Sequence, residues 1–129
     1  MGQTAKSKIA LTIWGNRISP VFDSANTLMI VDLENMAISN RVYELFDPQD
    51  MNHVLYILQK YKIESLICGA ITDDLSTLIE QNGIALIPFI SGSTDKVLAC
   101  LISENHRISD FIMPGVNLNE RLKKNYFKY

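Results

Sequence analysis

Cysteine is scarce. Cys68 and Cys100 are the only two in 129 residues, too few for a disulfide framework and compatible with a reducing compartment. Long apolar runs are also missing: Ile84-Ala-Leu-Ile87 and Thr27-Leu-Met-Ile-Val31 fall far short of the ~20 residues of a membrane-spanning helix. Met1-Gly-Gln-Thr-Ala-Lys6 lacks the basic, apolar, small-residue order of a secretion signal, and Lys6 stands where a myristoylation motif has Ser or Thr. The expectation is a cytoplasmic protein with no membrane association. No Gly-rich phosphate loop, Ser-centred elbow or zinc-spaced Cys pair is present, so the chain is read as non-catalytic and no catalytic residue is assigned.

Acid is absent from one end of the chain. Arg121, Lys123, Lys124 and Lys128 fall in the last nine residues, which hold no Asp or Glu; without them the formal charge of -2 becomes 8 basic against 14 acidic residues, or -6. Such a body repels phosphate backbones, which argues against a nucleic-acid partner. The tail mixes bases with Tyr126, Phe127 and Tyr129 as single-strand binders do, but a solvated basic tail is the commoner origin of that pattern.

A 47% hydrophobic content can fill a core, and the length fits one domain. That domain is expected over residues 1–115, with 116–129 as a loose tail. Lys8 to Trp14 reads as a buried strand. Thr27 to Leu33 and Ala37 to Phe46 read as a hairpin around Glu34-Asn35, with Val42, Glu44 and Phe46 on one face and Tyr43 and Leu45 on the other. Asp47-Pro48 signals a helix start, and Met51, Val54, Leu55, Leu58 and Tyr61 recur at helical spacing, which predicts a helix over 48–60. A short strand ending at Cys68-Gly69, a helix over 73–81, a strand over 83–88 and a helix opening at Gly92-Ser93-Thr94 follow. Strands that alternate with helices lie parallel. The predicted fold class is therefore α/β, a mixed sheet of about five strands with an antiparallel hairpin, flanked by three helices.

In such a sheet the loops after Trp14, Cys68 and Ile87 leave the strand carboxyl ends and converge on one edge, the default ligand site. Helix amino termini near Thr72 and Ser93 offer unpaired N–H groups there, which suits an anion. The ligand-binding candidates are Trp14, Ser19, Phe22, Asp23, Cys68, Gly69, Ala70, Gly92 and Ser93. Cys68 is the candidate metal ligand; its alternative is a small buried residue at a strand end. Trp14 forms an apolar wall or plugs the core's end. Asp23 binds a cation, orients a ligand or caps the turn. Adjacent helix positions diverge, so Asp73-Asp74 reads as helix-dipole complement rather than an acid/base pair. His53 and His106 stand apart from any partner at metal-ligand spacing and read as boundary histidines. Phosphoryl chemistry on such a sheet needs several convergent carboxylates, and Asp32 has no evident companions.

Ile9 to Trp14 followed by Arg17-Ile-Ser-Pro-Val-Phe-Asp-Ser-Ala25, then Leu66-Ile-Cys-Gly-Ala-Ile71 and Phe111-Ile-Met-Pro-Gly115, resembles the dinitrogenase iron-molybdenum cofactor biosynthesis family from about Lys8 to Gly115. The resemblance implies a ribonuclease H-like fold and an accessory or carrier protein. It also implies an iron-sulfur or iron-molybdenum type cluster as cofactor and metal-cluster assembly proteins as partners. The family loop reads Ser, variable, His, Phe, Gly, variable, Ala. Ser19, Phe22 and Ala25 keep it, while Val21 replaces the His and Asp23 the Gly. Many relatives end the tail motif in Cys, where this chain has Val116. The alternative function is a regulatory or protein-interaction module of the same fold that binds no metal. The oligomeric state is not readable from these patterns.

Overall fold

The computed structural model describes residues 6–103 and 108–113. Strands β1 (Lys6–Trp14), β2 (Arg17–Ile18), β3 (Thr27–Glu34), β4 (Ala37–Leu45), β5 (Ser65–Ile67) and β6 (Ala85–Ile87) form one sheet. Its order is β4-β3-β1-β5-β6, with the two-residue β2 paired to β1. β1 is antiparallel to β2 and β3, and β3 to β4; β5 lies parallel to both β1 and β6. The hairpin side and the parallel side thus meet at β1, which is why its sequence is apolar on both faces.

Alternation along β1 divides the core. Ala10 faces a cluster with Leu28, Ile30 and Leu66, covered by Val54, Ile57 and Leu58 of α1 (Met51–Lys60) and Ile79 of α2 (Asp73–Gln81). Ile9, Leu11 and Ile13 face the opposite cluster with Met29, Val31 and Ile67, covered by Val97 and Leu98 of α3 (Thr94–Leu101) and by Ile108. A period of two in the strands matches the helical stripes on each side.

Local chemistry accounts for most boundaries. Asn35 and Met36 both take positive φ, 53° and 64°, the arrangement of a two-residue hairpin turn whose twist suits the flanking strands; the turn lies one residue beyond the predicted Glu34-Asn35. Thr72 and Ser93 cap α2 and α3 by accepting from the N–H groups of Leu75 and Lys96. The predicted start of α1 is corrected. Asp47 accepts from Gln49 N–H through its side chain and from Asp50 N–H through its carbonyl, forming a turn around Pro48, and Asp50 is the cap that accepts from His53 N–H. Asp-Pro serves a turn as well as a helix start, because proline presets the φ of both. The predicted domain end, the tail and His106, Pro114, Gly115 and Val116 lie outside the described residues. A 3-10 turn at Ile108–Phe111, which carries no sequence period, packs Ile108 into the core.

Candidate functional site

The loop after β1 is clamped between the other two strand-end loops. Towards β5, Phe22 N–H donates to Ala70 O at 2.8 Å and Ala70 N–H to Pro20 O at 2.8 Å, a bridge that pairs Val21 with Ala70 in parallel. Towards α3, Ile18 N–H donates to Gly92 O at 3.0 Å and Thr94 N–H to Asn16 O at 2.9 Å, with Arg17 bridging Ser93. The three loops converge as parallel strand ends require. A depression of about 220 Å³ opens between the β1 and β5 loops, lined by Val21, Asp23, Ala70, Ile71 and Thr72. It is smaller than the usual range for small-molecule sites.

Two candidates, Asp23 and Ala70, line the depression. Gly92 and Ser93 lie on the far side of the β1 loop, where Ser93 caps α3. Gly69 lies under the loop: a β-carbon there would collide with the Ser19 and Pro20 carbonyls. Ser19 is buried and donates its hydroxyl to Val21 O at 3.0 Å, so its function is to hold the loop. Phe22 requires correction as a ligand contact. It is fully buried, with its ring 5.8 Å from that of Phe46, because a 3-10 turn at Phe22–Ser24 swings it under the loop into the core. Trp14 does not plug the core's end, being 66% exposed. Asp23 is exposed at the rim, and its turn has no side-chain cap.

Cys68 lies within the core cluster, below the edge rather than on it. Burial alone pushes its thiol strongly upward from the ordinary value, which disfavours the thiolate that binds metals. His53 is exposed on α1, with its ring stacked on Tyr56. Asp73 and Asp74 occupy the exposed first turn of α2, directly after Thr72, and Asp23 is the one carboxylate that lines the depression itself. Asp32 lies at the opposite end of the sheet, 3.4 Å from the Lys8 ammonium. The sequence placed the helix amino terminus near Thr72 at this edge, whereas Val21 and Ile71, apolar and without a period of their own, were not among the candidates that line the depression.

Fold and edge define a small α/β domain of the ribonuclease H-like arrangement. The family described as dinitrogenase iron-molybdenum cofactor matches residues 5–104, and the chain belongs to that family. No curated protein matches the sequence. Among solved structures, PH0822 is similar at a TM-score of 0.67 and 13% identity, covering 74% of this chain and 88% of that one. The dinitrogenase-like protein MJ0327 of Methanocaldococcus jannaschii gives 0.64 at 16%, over 80% and 94%. The NifB-like protein TM1290 of Thermotoga gives 0.60 at 15%, over 84% and 99%. At these identities the likeness is one of fold.

The family description raises a metal-sulfur cluster, and the donor set decides whether the edge suits one. Around the depression stand one carboxylate, one hydroxyl and three apolar side chains. Val21 brings no donor atom to the depression, and Cys68 lies in the core. Among the described residues no three His, Cys, Asp or Glu side chains converge. These residues do not fit a cluster held by thiolate or imidazole, and the Asp23 carboxylate opposes an anionic one.

Proposed function

We propose that this chain is a non-catalytic accessory member of its family that docks a partner protein at the strand carboxyl edge and does not hold a metal-sulfur cluster through ligands of its own. The supporting observation is the placement of exposed apolar side chains. Ile13 pairs with Thr27, and Thr27 with Leu45, which sets Leu45 at the same end of the sheet as Trp14; Val21 leaves that end beside Ala70. Trp14, Val21 and Leu45 are 66%, 41% and 75% exposed. Large exposed apolar groups beside the Asp23 carboxylate suit the apolar centre and polar periphery of a protein partner. The family description makes cluster-assembly proteins the first partners to try.

The test combines metal analysis with partner titration. After anaerobic expression with iron and sulfide, the expected protein is colourless with well below one iron per chain; a brown protein retaining stoichiometric iron through gel filtration overturns the proposal in favour of a cluster carrier. Trp14 is the sole tryptophan, so its emission reports docking directly. Titration with a cluster-assembly protein is expected to shift that emission to the blue, and Leu45→Ser to weaken the response. The carrier reading draws on one feature, the amino terminus of α2 at Thr72 beside the depression, whose N–H groups favour anions.

A further inference from the structure

The outer edge of β4 carries the features of a self-pairing strand. β4 ends the sheet order, and among the described residues no strand pairs with its outer side. Its nine residues contain no proline and no lysine, the residues with which native edges are commonly blunted. A register shift opposite Asp32/Leu33 interrupts the ladder near Ser39, leaving 40–45 as a regular run. Phe46 N–H donates to Asn26 O. Because bonded and non-bonded pairs alternate in an antiparallel ladder, the main-chain groups of Asn40, Val42 and Glu44 face β3, while those of Arg41, Tyr43 and Leu45 point outward. The side chains of Arg41, Tyr43 and Leu45 are exposed as well.

We propose that β4 pairs antiparallel with β4 of a second copy of this chain about a two-fold axis through Val42, joining two sheets into one. Every two-fold centre from Arg41 to Leu45 places outward main-chain groups opposite one another; centres at Glu44 and Leu45 pair only the last residues of the run, and side-chain chemistry separates the other three. Centring on Arg41 sets two guanidinium groups face to face, which is destabilising. Centring on Tyr43 pairs 41–45 but sets Val42 against Glu44 and Arg41 against Leu45, so that both charged side chains meet apolar partners. Centring on Val42 places Arg41 opposite Tyr43 of the other copy, twice, as bonded pairs in which a cation meets an aromatic ring. It also sets Asn40 opposite Glu44 and leaves Val42 against its own symmetry mate as the close non-bonded pair. The Arg41 guanidinium is held only loosely at home, 3.9 Å from the exposed Asp95 carboxylate, an exposed pair of small worth. Main-chain pairing at a sheet edge is an established mode of recognition.

Sedimentation equilibrium of the full chain tests this, with a mass rising to twice that of one chain as concentration increases. Tyr43→Pro removes an outward N–H and leaves the bonds to β3 in place, so it is expected to weaken association at least tenfold. Tyr43→Lys, which sets ammonium against guanidinium without touching the backbone, is expected to do the same and covers the case in which the proline variant does not fold. In a Cys100→Ser background, Val42→Cys is expected to give a disulfide-linked dimer on mild oxidation, whereas Asn40→Cys, opposite Glu44, is expected to stay monomeric. A constant monomer mass at every concentration overturns the proposal, as does equal cross-linking of the two cysteine variants.

Discussion

Gly69 lies directly beneath Ser19. A β-carbon on Gly69 would overlap the Ser19 and Pro20 carbonyl oxygens and stand 2.6 Å from the Pro20 carbonyl carbon. Absence of a side chain here lets the β1 loop descend onto the end of β5, where the Ala70–Pro20 and Phe22–Ala70 hydrogen bonds lock it. The depression exists because that approach is possible.

Gly69→Ala is therefore expected to destabilise the fold by about 1–3 kcal/mol, since the contacted atoms are backbone and cannot step aside cheaply. Gly83 supplies the comparison. Its φ of +82° penalises a side chain but leaves open space around one, so Gly83→Ala is expected to cost about 1 kcal/mol. Urea denaturation of both variants checks the order, and only Gly69→Ala is expected to change amide exchange at Phe22 and Ala70.

Asp50→Ala is expected to cost about 1 kcal/mol by removing the cap of α1. Asp47→Ala, which loses a turn bond to Gln49, is expected to cost less. Denaturation midpoints of the two variants settle which aspartate starts the helix; a larger loss at Asp47 would reverse the assignment.

Cys68 is expected to resist alkylation in the folded protein while Cys100 reacts, because the buried thiol neither reaches reagent nor ionises. Mass spectrometry after brief exposure to iodoacetamide distinguishes the sites. The pH dependence follows. The folded-state value is raised above the ordinary 9.0, so the unfolded chain loses this proton first. The contribution is whole below that value and declines as pH rises above it, by up to ~1.4 kcal/mol per pH unit. Cys68→Ala is expected to flatten this part of the stability profile.

Thr12 is fully buried on β1, and its hydroxyl has no hydrogen-bond partner among the described residues. Replacing it by the similarly shaped valine removes an unpaired polar atom, so Thr12→Val is expected to stabilise the protein by about 1 kcal/mol. A lower denaturation midpoint would show that the hydroxyl is satisfied in solution.

Much of the architecture was legible because its signals are local. The hairpin follows from β-rich segments flanking a short turn, and Thr72 and Ser93 from cap residues placed just before helical periods. The Asp47 expectation failed because two local structures, a turn and a helix start, compete for the same Asp-Pro dipeptide; here it makes the turn that Asp47 closes through Gln49 and Asp50, and Asp50 caps the helix. Phe22 was misjudged for the opposite reason. It belongs to no period, and its burial depends on a 3-10 turn held by Ala70, far along the chain.

The sequence by itself determined the hairpin, the alternation of strands with helices that follows it and the family to which the chain belongs, because periodicity, caps and short motifs act over a few residues. Only the tertiary structure decided that Phe22 and Cys68 face inward while Val21 and Trp14 face outward. Those orientations are imposed by backbone bridges such as Val21 to Ala70 between segments distant in sequence. Pairing of that kind writes no period into either segment, so nothing short of the assembled sheet discloses which atoms the edge presents.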